Sequence, residues 1–181
     1  MSRTPRVAVY GSSTVRESDA AYALALELGR ELARAGATVM TGGYGGMMEA
    51  CSRGACEAGG HVVGVTVELF EARGSANRWV KERVHTPDLF ERLRYLVSEA
   101  DGFVVVPGSI GTLTELFLTW TLLSTAGRPP APLVLLGDHW ESYLHAHRHP
   151  DIVRPHLFDH VQVTTSPAEA ARLAVTGVPT A

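Results

Sequence analysis

Lysine is almost missing from this sequence of 181 residues, because Lys81 is the only one. Arginine therefore carries nearly all of the positive charge, and no dense run of basic residues is present. With a formal net charge of −3, the chain lacks the basic field that general binders of nucleic acid or of anionic membranes need. We therefore expect neither nucleic acid nor a membrane as a partner.

Long apolar runs and cysteines are scarce as well. The apolar runs FVVVP and PLVLLG have the length of strands and are too short to span a membrane. The N-terminal segment MSRTPRVAVYGSS has no signal-peptide core. The two cysteines, Cys51 and Cys56, lie five residues apart on poorly matched faces of a predicted helix, so we expect no disulfide. Together these shortages predict a reduced protein in the cytoplasm.

What the sequence does contain is an alternation of short β-branched runs with longer amphipathic segments, which is typical of βαβ units. It predicts an α/β fold, a single Rossmann-like, doubly wound parallel sheet with helices on both faces, as one domain over residues 1–181. The segment from Glu68 to Asn77 interrupts the alternation and is predicted to be a mobile loop. The predicted strands lie at residues 6–10, 37–41, 61–66, within 79–86, at 102–106, 133–136 and 161–163, and the predicted helices at about 19–35, 47–58, 88–100, 113–126, 139–149 and 167–175.

Three turns rich in Gly or Ser follow the first, second and fifth predicted strands. In open parallel sheets the ligand lies beyond the carboxyl ends of the strands, where the strand order reverses. Right-handed crossovers bring these three turns to one edge of the sheet, around a shared crevice. This arrangement predicts a nucleotide-like ligand. The candidate phosphate- and nucleotide-binding residues are Gly11, Ser12, Gly42, Gly43, Gly45, Gly108, Ser109, Ile110, Gly111 and Thr112.

The third turn, from Pro107 to Glu115, is the most informative of them. It opens a helix, so its first amides are unpaired donors at the positive end of the helix dipole, and a phosphate is the expected guest. A tight turn whose glycines serve only the backbone angles is the alternative. The loop from Gly42 to Met48 lacks the Lys-Ser/Thr of a P-loop and the spacing of the dinucleotide fingerprint, so NAD binding has little support.

Two charged residues lie near these turns, and the sequence allows more than one role for each. Glu115 lies three residues after Thr112, where it can stabilise the helix N-terminus or lie beside a sugar whose phosphate binds the turn. Arg92 lies on the helix that begins near Pro87, close to Glu91 and Arg94. A solvated charged face is the simpler interpretation of that helix, and nothing in its sequence singles out Arg92 over Arg94.

The residues from Pro107 to Glu115 match, with one change, a Pro-Gly-Gly-x-Gly-Thr-x-x-Glu motif, and Ser109 is the changed position. Together with the second glycine-rich loop and the turn at Gly11, they resemble the LONELY GUY family, long labelled lysine decarboxylase-like. The resemblance runs from about residue 6 to about residue 144. The family's arginine motif, Met-His-x-Arg-Lys, corresponds here to residues 89–93, with Phe90 at a polar position.

The resemblance implies a phosphoribohydrolase, which cleaves the N-glycosidic bond of a nucleoside 5′-monophosphate such as AMP or N6-substituted AMP (a cytokinin nucleotide). The products are free base and ribose 5-phosphate. The family's functional arginine, fifteen residues before the motif proline, falls on Arg92, and its functional glutamate falls on Glu115. The resemblance further implies a homodimer with no metal and no organic cofactor.

Two other functions compete with this one. Some relatives with this fold resemble carriers of phosphorylated ligands, so a non-catalytic carrier or sensor of a nucleotide or of molybdenum cofactor is the alternative. A pyridoxal-phosphate lysine decarboxylase is excluded, because Lys81 is the only lysine available for a Schiff base and lies outside every phosphate loop.

Two further sequence features concern metal binding and assembly. His145 and His149 could share a helix face as a two-ligand metal site, but no carboxylate or cysteine completes the set, and a solvated helix end is the preferred interpretation. The segment from Leu113 to Ser124 has apolar residues on more than one face. A single sheet cannot cover all of them, which favours a dimer interface.

Overall fold

Seven short strands with many β-branched residues form one parallel sheet in the computed structural model, which describes residues 3–149 and 151–176. The strands are β1 (Arg6–Tyr10), β2 (Thr38–Thr41), β3 (Val62–Val67), β4 (Glu82–Thr86), β5 (Gly102–Val105), β6 (Leu133–Leu136) and β7 (Val161–Thr164). Their order in the sheet is β4-β3-β2-β1-β5-β6-β7, with parallel pairing throughout. The order reverses between β1 and β5, which is the switch point of a doubly wound sheet.

Six α-helices among the described residues cover the two faces of this sheet. They are α1 (Ala20–Arg34), α2 (Met47–Glu57), α3 (Leu89–Glu99), α4 (Ile110–Ser124), α5 (His139–Ala146) and α6 (Pro167–Thr176). Helices α1, α2 and α6 pack on one face, and α3, α4 and α5 pack on the other. Alternate residues of the inner strands face the two cores: in β1, Val7 and Val9 lie in the first core and Ala8 and Tyr10 in the second. The predicted α/β fold with helices on both faces is confirmed.

Three details of the sequence prediction were wrong. The segment predicted as a mobile loop begins with a 3-10 helix, Glu68–Arg73, and ends at Asn77, which is hydrogen-bonded to another loop. Helix α4 begins at Ile110, inside the predicted turn, because helical pairing already starts with the Leu113 amide, which donates to the Ser109 carbonyl. Helix α5 ends at Ala146, three residues before the predicted end.

Helix α3 is fixed at its C-terminal end by Arg128. The Arg128 guanidinium donates to the carbonyl oxygens of Val97 (2.7 Å) and Ala100 (2.9 Å), and its Cζ lies 4.6 Å from the ring centroid of Phe103. These bonds satisfy carbonyls that the helix itself leaves unpaired. The position of α3 against the sheet therefore depends on a residue that lies beyond α4 in the chain.

Candidate functional site

The three turns rich in Gly or Ser meet at the switch point, and Ser12 joins them. The Ser12 amide donates to the Pro107 carbonyl (3.2 Å), and the Ser12 carbonyl accepts from the Met47 amide (2.8 Å). Gly11 lies between Val106 and Met47, where a Cβ would stand 2.5 Å from Val106 Cγ2. The turns thus meet above the carboxyl ends of β1, β2 and β5, where their spacing predicts a shared crevice.

The N-terminus of α4 offers unpaired amides at this crevice. The helix begins at Ile110, and its first turn contains no acidic residue that would repel an anion. Gly108, Ser109, Ile110 and Gly111 are exposed, so a ligand can reach the backbone. Thr112 closes over Gly108, since a Cβ on Gly108 would lie 2.1 Å from Thr112 Oγ1. This turn is therefore shaped to accept a phosphate group.

Ser109, the position at which the chain departs from the family motif, has an extended backbone with φ −98° and ψ −163°. This conformation is open to any residue, so the serine needs no left-handed φ that only glycine adopts freely. Its side chain makes no capping hydrogen bond to the helix. The substitution leaves the amides of the turn where a glycine would put them.

The loop from Gly42 to Gly46 forms another wall of the crevice and differs from the α4 turn. Gly43 (φ +78°) and Gly46 (φ +67°) adopt left-handed conformations. Helix α2 begins at once after this loop, but the Met47 amide is already bonded to Ser12, and Glu49 lies in the first turn. A negative charge there disfavours an anion. Of the two helix N-termini, that of α4 has the charge environment more favourable to an anion.

Arg92 is buried, with 7% of its surface exposed, whereas the side chain of Arg94 is 71% exposed and pairs with Glu91. The Arg92 Nε donates to the Val65 carbonyl at the end of β3 (2.8 Å). The rest of the guanidinium lies against Gly42, where a Cβ would stand 2.0 Å from Nη2. The solvated charged face, the simpler interpretation of the sequence, was thus wrong for Arg92 and holds for Arg94.

Glu115 lies opposite Arg92 and pairs with it. Arg92 Nη1 donates to Glu115 Oε1 over 3.2 Å, and both side chains are nearly buried, with 8% and 12% exposed. Burial raises the pKa of the Glu115 carboxyl, and the positive charge and hydrogen bond of Arg92 oppose that rise. Tyr10, at the end of β1, contacts Thr119 one turn further along α4, with 3.2 Å between the two hydroxyl oxygens.

Asn77 and Tyr44 hold the glycine-rich loop from Gly42 to Gly46 in place, and no sequence motif pointed to Asn77. Asn77 donates to the carbonyls of Gly43 and Tyr44, and the Tyr44 hydroxyl bonds to the backbone of Val67. The available signal was small, because Asn77 is the only asparagine of the chain and stands in the segment that breaks the βα alternation. Neither observation indicates which loop Asn77 contacts.

The histidines do not assemble a metal centre in the part of the chain that the structure describes. No group of three or more His, Cys, Asp or Glu side chains there could hold a metal ion. In the same residues no helix is long and apolar enough to cross a membrane.

The fold is that of a known class of proteins. Residues 4–127 match the model of the SLOG cluster4 family. The chain is 34% identical over 137 residues to a cytokinin riboside 5′-monophosphate phosphoribohydrolase of Mycobacterium tuberculosis, an alignment that covers 74% of this chain and 71% of that protein. The chain therefore belongs to the SLOG cluster4 family, and its resemblance to the LONELY GUY proteins is confirmed.

Two solved structures share the fold over nearly the whole chain. The X-ray structure of TM1055, a structural genomics target, is similar with a TM-score of 0.75 and 28% identity, over 94% of this chain and 98% of that one. The molybdenum cofactor binding protein of the phototrophic bacterium Rippkaea orientalis has a TM-score of 0.72 and 24% identity, over 94% and 95% of the two chains. At that identity the second likeness concerns the fold alone.

Proposed function

We propose that this protein hydrolyses the N-glycosidic bond of a nucleoside 5′-monophosphate, AMP or N6-substituted AMP, and releases the free base and ribose 5-phosphate. The observation that carries the proposal is the buried Arg92–Glu115 pair beside the exposed N-terminus of α4. The name of the Mycobacterium tuberculosis relative supports the same reaction. Binding of a phosphate alone would need neither of the two charged residues.

In this proposal the α4 turn holds the 5′-phosphate and thereby fixes the ribose along the helix. Glu115 lies five residues after Ile110, about 7.5 Å further along the axis of α4. The amides of the turn bind a part of the substrate that does not react, so their binding energy can align the glycosidic bond with the charged pair.

Cleavage of the glycosidic bond develops positive charge on the ribose and negative charge on the leaving base. The Glu115 carboxylate stabilises the ribose side and accepts a proton from the attacking water, for which a raised pKa is suited. The Arg92 guanidinium stabilises the charge on the base. Two of its nitrogens, Nε and Nη1, are held by Val65 and Glu115, so its orientation is fixed before the substrate binds.

Ribose 5-phosphate release from a panel of nucleoside monophosphates tests the proposal. kcat/KM for AMP or for an N6-substituted AMP should fall about 10²- to 10³-fold in Arg92→Ala and stay unchanged in Arg94→Ala, a matched control two residues away on the exposed face of the same helix. Binding of AMP without turnover of any panel member would contradict hydrolysis. That result would instead favour a carrier of phosphorylated ligands.

We also propose that the protein forms a homodimer through the outer face of α4. Ile110 is 82% exposed and Phe117 is 38% exposed on this helix, and Leu113 and Leu118 extend the apolar surface between them. Burying such a surface against a second copy removes apolar area from water. Sedimentation should give a dimer for the wild type and a monomer for Phe117→Glu, and a wild-type monomer at micromolar concentration would contradict the proposal.

A further inference from the structure

The glycine-rich loop from Gly42 to Gly46 is held in place by one side chain from a distant segment. Asn77 Nδ2 lies 3.1 Å from the Gly43 carbonyl oxygen and 3.0 Å from the Tyr44 carbonyl oxygen. The Asn77 backbone amide also donates to the Gly43 carbonyl (2.8 Å), and Oδ1 accepts from the Trp79 amide (3.1 Å). With two acceptors on one side and a donor on the other, only one orientation of the carboxamide satisfies all its partners.

The loop depends on these bonds because its carbonyls at Gly43 and Tyr44 belong to neither β2 nor α2. Gly43 adopts a left-handed conformation, φ +78°, and lies outside any strand or helix. Tyr44 provides a second attachment, since its hydroxyl accepts from the Val67 amide (2.9 Å) and donates to the Val67 carbonyl (3.1 Å). The loop is thus tied at two points, to the last residue of β3 through Tyr44 and to the segment after β3 through Asn77.

A displacement of this loop would reach the charged pair directly. Gly42 precedes Gly43 and lies against Arg92, with so little space that a Cβ would stand 2.0 Å from Nη2. The peptide that Asn77 holds therefore adjoins the surface on which the guanidinium rests. We infer that Asn77 is a positioning residue for the site, which fixes the loop so that Gly42 supports Arg92 in its contact with Glu115. This inference rests on the proposed hydrolase function.

Asn77→Asp is the sharpest test, because the carboxylate has the same shape and keeps an acceptor for the Trp79 amide. It turns an acceptor towards the Gly43 and Tyr44 carbonyls, where Asn77 has a donor. We expect kcat/KM for AMP to fall about 10- to 100-fold, as for a misplacement of a catalytic group by about 1 Å. Val80→Ala is the comparison variant, since Val80 packs on Gly64 and against the first core in the same segment, and its apolar side chain forms none of the hydrogen bonds that hold the loop.

A double-mutant cycle with Arg92→Ala separates positioning from general destabilisation. If Asn77 acts through Arg92, Asn77→Asp should cost at most a few-fold in kcat/KM once Arg92 is absent. The inference would be overturned if Asn77→Asp kept the wild-type kcat/KM, or if it lowered kcat/KM by the same factor with and without Arg92. Either result would leave the hydrolase proposal intact.

Hydrogen exchange gives a readout that does not depend on turnover. The amides of residues 43–46 should exchange faster in Asn77→Asp than in Val80→Ala, compared after correction for the stability of each variant. Equal rates in the two variants would overturn the inference, whether or not the wild type hydrolyses AMP. If the wild type does not hydrolyse AMP but the two variants still differ in exchange, only the hydrolase proposal is contradicted.

Discussion

Gly42→Ala adds one methyl group at the point where the glycine-rich loop meets Arg92. The new Cβ would stand 2.0 Å from Arg92 Nη2 and 2.6 Å from Met48 Sδ. Met48 can rotate away, because its sulfur is near the end of a flexible side chain. The guanidinium cannot do so freely, since it is bonded to Val65 and to Glu115. Gly42 is not among the glycines with positive φ, so the methyl contact is the main consequence of the change.

The size of the effect follows from these distances. Ordinary van der Waals contact requires about 3.5 Å, so Nη2 must retreat by roughly 1.5 Å. Such a shift takes the Arg92–Glu115 contact from 3.2 Å to beyond the range of a hydrogen bond. We expect kcat/KM for AMP to fall about 100-fold, the loss typical of a misplacement of about 1 Å in a reacting site. Ribose 5-phosphate release measures it.

Gly45→Ala is the comparison, because it adds the same methyl group three residues later in the same loop. Its Cβ would meet nothing closer than the Ser13 carbonyl oxygen at 3.9 Å, so Arg92 is not displaced and the loss should be much smaller. Equal activity of the two variants, with both folded by circular dichroism, would refute the argument that the position of Arg92 governs the rate.

Three further measurements test other parts of the site and the fold. Because burial raises the pKa of Glu115 and the reaction needs its carboxylate, kcat/KM should fall as the pH drops through a value above the roughly 4.3 of a free glutamate. Gly108→Ala drives a Cβ into Thr112 and should raise the KM for AMP about tenfold, the loss of one charge-assisted hydrogen bond. Arg128→Ala removes two hydrogen bonds to the end of α3 and should lower the free energy of unfolding by about 2–3 kcal/mol in urea titrations.

Each of these measurements has its own control. In Glu115→Gln the carboxylate is gone, so the pH dependence of AMP binding to this variant reports the titration of the AMP phosphate alone. If that profile is identical to the pH profile of wild-type kcat/KM, Glu115 is excluded as the titrating group. If Gly108→Ala raises the KM for unphosphorylated adenosine as much as the KM for AMP, the turn does not act through the phosphate. Arg172→Ala removes an exposed ion pair with Glu169 and should leave the free energy of unfolding nearly unchanged.

The sheet could be predicted from the sequence because its signals are local. The central strands β1, β2 and β5 are short buried runs that each end at a turn rich in Gly or Ser, and the reversal at β1 and β5 follows from general rules on crossovers. The helix from Glu68 to Arg73 was missed because the segment from Glu68 to Asn77 is rich in polar and small residues, as loops are, and six residues are too few to show a helical period.

The site was harder to predict because burial and contact between distant elements decide it. Arg92 and Arg94 are two residues apart on one helix, and only the packing of α3 against β3 buries one and exposes the other. Gly42 looked like a phosphate contact in the sequence, whereas its lack of a side chain makes room for Arg92. Resemblance to the family selected Arg92 and Glu115, but not the contact between them or the role of Asn77.

The pairing of β1 with β5 also has a consequence for the time at which the site can form during synthesis. Val7 pairs with Gly102 and Tyr10 with Val105, so the centre of the sheet joins residues about 95 positions apart in the chain. Pairings of such separation form slowly, because a long loop must close before they are stabilised. A nascent chain that ends before Gly102 can contain β1 to β4 and α3 with Arg92, yet it has neither the α4 turn nor Glu115. Binding of a phosphorylated ligand would therefore be a direct signal that translation has passed α4 and that the two halves of the sheet have joined.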